Sequence, residues 1–94
     1  MLSIRNHLAK EKMKSVIGSN LLAYRKSWSL SQEAMAKKLS MSVRSYIDLE
    51  HGDNLPSATT LALFLTMLDP YDQEKLLDQL RQVLDEIKHT SNND

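Results

Sequence analysis

Apolar side chains in this 94-residue chain recur mostly three and four positions apart, the spacing that places them on one face of a helix. Near the start, Ile4, Leu8 and Met13 keep that spacing among Lys10, Lys12 and Lys14, so residues 1–14 read as a helical arm or a frayed tail. Ser19 or Asn20 can cap a following helix that carries Leu21, Leu22 and Tyr24, and Ser27-Trp28-Ser29 breaks it. A second helix is expected after Ser31, with Glu33 in its first turn. Met35 and Leu39 lie on one of its faces, and Ala36 is small enough for close approach. A third begins at Ser42, turns Tyr46 and Leu49 inward, and ends near Glu50-His51-Gly52, where the glycine suits a left-handed stop. Ser57 caps a fourth, whose Leu61, Leu63, Phe64, Leu65 and Leu68 are apolar enough to be largely buried. Asp69-Pro70-Tyr71-Asp72 starts the last: Asp69 caps, Pro70 fits the first turn, and Asp72 complements the helix dipole. It should run to about His89, with residues 90–94 polar and frayed. Along it Leu76, Leu80, Val83 and Ile87 form a seam that Leu77 and Leu84 widen. The seam can pack on its own domain or on a second copy.

The second and third helices matter most. A join of about three or four residues cannot let them run antiparallel; it holds them at a steep angle, with one helix presented outward. Such a helix fits the major groove of DNA. Arg25, Gln32, Ala36, Leu39, Tyr46, Leu49, Glu50, Gly52, Pro56 and the run at 61–68 resemble the Cro/C1-type helix-turn-helix family, often called the XRE family, of bacterial and phage repressors. The resemblance spans residues 17–68. Outside it, the apolar spacing gives an N-terminal helical extension at 1–16 and a long C-terminal helix at 69–94, a candidate dimerisation element. The resemblance implies an all-α, compact five-helix, lambda-repressor-like fold, with the helix-turn-helix DNA-binding domain at 17–68. It also implies that Arg25 and Glu50 form a structural ion pair, and that Gln32 meets the DNA backbone and buttresses the reading helix. At Ser40 the family usually has glycine, and a non-glycine there is strained if φ is positive.

Base reading falls to the outward face of the third helix: Ser42, Val43, Arg44, Ser45, Ile47 and Asp48. Arg44 is the best specificity residue, because its fork can give two hydrogen bonds to guanine O6 and N7. Val43 and Ile47 offer only apolar surface to thymine methyls or to neighbours. Asp48 can accept from cytosine or pair with Arg44 at i,i+4. His51 and Asn54 follow the helix and can reach phosphate, while Lys37 and Lys38 add a diffuse positive field.

Composition narrows the function. The net charge is zero, yet residues 1–69 carry nine Lys/Arg against six Asp/Glu, and residues 70–94 carry three against six. A mildly basic body therefore precedes an acidic helix. The absence of cysteine suits a reducing cytosol, and neither a membrane span nor a signal peptide is legible. His7, His51 and His89 are scattered, no metal-ligand spacing occurs, and no phosphate loop or nucleophile motif is present. Enzymatic, cofactor and metal roles are not expected. The expectation is a cytoplasmic, homodimeric transcriptional repressor of double-stranded DNA, with Leu76, Leu80, Val83, Leu84 and Ile87 at the dimer interface. The alternative is an antitoxin-like or adaptor module whose last helix binds a protein partner. Its warrants are the neutral charge and the apolar Val43 and Ile47.

Overall fold

Every helix after the first starts at a side-chain oxygen. In the computed structural model, which describes the backbone of residues 2–92 and the side chains of residues 6–88, these are α1 (Leu2–Ser27), α2 (Gln32–Lys38), α3 (Val43–Glu50), α4 (Ala58–Met67) and α5 (Pro70–Asn92). Ser31, Ser42 and Ser57 accept from the amides of Ala34, Ser45 and Thr60 at 3.0, 3.1 and 3.1 Å. Asp69 accepts from the amide of Asp72 at 2.8 Å. Each bond satisfies an amide that the helix itself cannot. α5 extends a few residues past the expected end near His89. The backbone of 90–92 is helical rather than frayed, while residues 93 and 94 lie outside the described residues.

The first three helices share one stop. Leu30 N–H donates to Arg25 O and Ser29 N–H to Lys26 O; Met41 donates to Ala36 O and Ser40 to Lys37 O; Asp53 donates to Asp48 O and Gly52 to Leu49 O. This is the paired bonding of a Schellman cap, which needs a left-handed residue just past the helix. Gly52 supplies it at φ 79°, but Ser29 and Ser40 take it at φ 53° and 55° without glycine's freedom.

The start of α1 corrects the expected cap. The helix runs unbroken through Ser19 and Asn20. Asn20 Nδ2 instead donates to Val16 O one turn back and to Gln79 Oε1 on α5, both at 2.8 Å. Residues 2–16 are therefore continuous with the first domain helix rather than a separate element. Ile4 lies outside the residues with described side chains, and Leu8 is exposed. α1 and α5 lie side by side and antiparallel, joined by Asn20–Gln79 and, nearer the N-terminus, by Lys12–Glu86 at 2.5 Å.

The core is drawn from all five helices: Ile17 and Leu21, Met35, Ala36 and Leu39, Tyr46 and Leu49, Phe64 and Leu68, and Leu76. Burying each large side chain contributes about 1.5–3 kcal/mol before ordering entropy is charged. Tyr24 meets the Phe64 ring edge-on, centroids 5.9 Å apart. Leu61 and Leu65 pack partly on this core, but Leu63 is exposed, so α4 is less covered than its apolar sequence suggests. α5 divides its seam. Leu76 and Val83 are buried within the chain and are not free for a second copy, which corrects their place in the expected dimer interface. Leu80 and Ile87 are half-buried, and Leu77 and Leu84 are exposed.

Candidate nucleic-acid interface

α3 is clamped from its inner side. Glu50, at its last turn, is 9% exposed and is the acceptor at the centre of a polar cluster. Arg25 of α1 grips it with a two-point fork, Nε to Oε2 at 2.7 Å and Nη2 to Oε1 at 2.9 Å, and gives Nη1 to Leu30 O at 3.0 Å. Tyr46, wholly buried one turn earlier, donates its hydroxyl to Glu50 Oε2, and Gln32 Nε2 donates to Oε1 at 3.2 Å. Burial pushes the Glu50 carboxyl up, but the hydrogen bonds from Arg25, Tyr46 and Gln32 outweigh it and hold it at about 2. Burial and the bond to Glu50 push the Tyr46 phenol well above its ordinary value. No buried side-chain polar atom among the described residues lacks a partner.

Close packing supplies a second clamp. A Cβ on Gly18 would lie 2.8 Å from both Leu49 O and Glu50 O and 3.2 Å from Gly52 N. Only glycine lets α1 approach the end of α3 so closely. Neither Gly18 nor the Tyr46–Glu50 bond was expected from the sequence. A glycine inside the apolar run Val16-Ile17-Gly18 was the available signal for the first.

With its inner side held, α3 turns its other arc outward. Arg44 stands open there, its side chain 88% exposed, with Nε 3.9 Å from Asp48 Oδ1. Ser42 donates its hydroxyl to Ser45 Oγ at 2.9 Å while capping the helix, and both serines are exposed. Val43 is half-buried and packed against the core. Ile47 is also half-buried but, among the described residues, is not one of those packed there. His51 caps the C-terminus of α3 and is exposed. Asn54 lines a shallow groove with Met41, Ser45, Ser57 and Thr60, so the α3 and α4 N-terminal turns share one surface. Gln32 makes the expected buttress: its amide is turned inward onto Glu50 at the end of α3, while the side chain stays half-exposed at the head of α2. Lys37 and Lys38 are exposed on α2.

Two short helices joined by a tight turn, with an exposed arc on the second, coincide with a family profile. The helix-turn-helix profile matches residues 21–70, more than half of the chain, and covers α2, α3 and α4 entire. The chain belongs to the Cro/C1-type helix-turn-helix family. No curated protein and no solved structure matches it. In this helix-turn-helix protein α2 and α3 are the pair that gives the family its name, and DNA binding by an XRE-type regulator is what membership supports. Among the described residues no helix is long and apolar enough to cross a membrane.

Proposed function

We propose that the protein is a sequence-specific DNA-binding transcriptional repressor that inserts α3 in the major groove. The observation that carries this reading is the division of α3. Its inner side is fixed by Arg25, Tyr46, Gln32 and Gly18, while Arg44 stands open on the other. A rigid helix presenting a forked donor is what direct readout needs. Arg44 specifies; Asp48 steadies it; Ser42, Ser45 and Asn54 bind sugar and phosphate along the shared groove; His51 reaches phosphate beyond the end of α3. Gln32 holds Glu50 with one amide hydrogen and keeps the other, with its oxygen, for the backbone.

The protein acts as a homodimer through the open edge of α5, namely Leu77, Leu80, Leu84 and Ile87. Two recognition helices then enter successive major grooves about 34 Å apart on a near-palindromic site. Occupying a promoter in this way blocks transcription. Titrating the protein into labelled duplex DNA at several salt concentrations tests the reading. Affinity falls steeply with salt if phosphates are neutralised, and stays flat if they are not.

A second reading rests on charge. The matched segment carries Arg25, Lys26, Lys37, Lys38 and Arg44 against Glu33, Asp48, Glu50, Asp53 and Asp69. An antitoxin-like or adaptor module needs no positive face, and the same leucine edge would then receive a partner protein.

A further inference from the structure

The proposed function leaves open which bases α3 reads. The buried side of α3 runs through Tyr46, Leu49 and Glu50. Helical spacing puts Arg44, Ile47, Asp48 and His51 on the remaining arc. On that arc Arg44 and Ile47 are neighbours, three residues apart, with Cα atoms separated by about 4.5 Å along the axis. Stacked base pairs repeat at about 3.4 Å. Two side chains so placed address adjacent base pairs. Arg44 is open to solvent, with Asp48 beside it at 3.9 Å. Val43, the other apolar residue of this stretch, is packed against the core, whereas Ile47 is half-exposed outside that packing. Ile47 has no donor or acceptor, so the one base-edge feature it can favour in the major groove is a 5-methyl group.

Resting on the DNA-binding reading, we infer that Ile47 is a specificity-determining residue. It selects a pyrimidine bearing a 5-methyl group in the base pair next to the guanine held by Arg44. Asp48 keeps the Arg44 fork over that guanine and turns its own carboxylate away from the methyl-bearing pair. The group has two natural sources, thymine and 5-methylcytosine, which present the same methyl at the same place.

Selection of binding sites from random duplexes by the intact protein gives the starting probe. The expected site holds a fixed guanine with an A·T pair beside it. Four probes then differ only at that neighbour: thymine, uracil, cytosine and 5-methylcytosine. Removing one methyl contact should weaken binding about four-fold. Thymine should therefore exceed uracil by that factor. A matching excess of 5-methylcytosine over cytosine extends the preference to methylated DNA; its absence confines the source to thymine. In Ile47→Ala, thymine and uracil should bind alike while the guanine preference persists. Equal affinity for both members of both pairs with the unaltered protein overturns the inference, and so does a selected guanine with no fixed neighbour. Those results leave DNA binding standing. A protein that enriches no sequence overturns the DNA-binding reading and this inference with it.

Discussion

Replacing Arg44 with alanine removes the most open forked donor of α3 without touching the core. Specific binding should weaken by about 1–3 kcal/mol at one base position, and non-specific binding much less. Parallel site selection by the two proteins checks this; an unchanged consensus rejects the role of Arg44. Glu50 calls for a different experiment. Its carboxyl is held at about 2 in the folded protein and titrates near 4.3 when unfolded. The stabilisation it brings is therefore complete above about pH 5 and is lost as pH falls towards 2, because the unfolded chain takes up the proton first. Denaturant unfolding at a series of pH values should show stability dropping over that window by roughly 3 kcal/mol. Glu50→Gln should lower stability at pH 7 and flatten the slope. Arg25→Ala, which strands a buried carboxylate, should cost about 3–5 kcal/mol. The pairing of Arg25 with Glu50 was legible only through resemblance, since a separation of 25 positions carries no local pattern. Gln32 was half legible: its buttressing contact is made, but nothing in its neighbours announced that its amide would turn inward.

Helix starts were readable because Ser31, Ser42, Ser57 and Asp69 act over three residues of chain. Where a local signal competed with a tertiary one, reading failed. Ser19 and Asn20 resemble caps, but Asn20 instead bridges α1 to α5, and the antiparallel fit of those helices carries α1 straight through. The stops divide in the same way. Gly52 announces itself, whereas Ser29 and Ser40 adopt the same left-handed turn with no glycine to mark it. A left-handed non-glycine costs about 1–2 kcal/mol, and glycine returns about 0.4–1 kcal/mol of that as unfolded-state entropy. Ser40→Gly should thus stabilise the protein by about 0.5–1 kcal/mol, seen as a rise of a few degrees in thermal unfolding. An unchanged or lower midpoint would show that Ser40 makes a compensating contact. Gly18→Ala should do the reverse, destabilising by about 1–3 kcal/mol as its Cβ forces α1 from the carbonyls of Leu49 and Glu50. Because that shift moves α3, DNA affinity should fall even where the variant remains folded by circular dichroism.

Across the whole molecule, which spans 45 × 28 × 20 Å, α5 shows what a stripe alone cannot say. Its apolar spacing was plain in the sequence. Which leucines the domain would cover depended on where α1 came to lie, and Leu76 and Val83 fell on the covered side. Leu77→Glu with Leu84→Glu should give a monomer by light scattering that binds DNA more weakly. An unaltered protein that is monomeric at high concentration removes the dimer and favours the adaptor reading. The central claim is that α3 reads duplex DNA despite a net charge of zero, and affinity against salt concentration tests it most directly. If a dimer neutralises some four to eight phosphates, the logarithm of the association constant should fall linearly with the logarithm of salt, with a slope of about −4 to −7. Arg44→Ala should bind more weakly to the selected site throughout. Binding that is absent, or that neither varies with salt nor responds to Arg44→Ala, would contradict it.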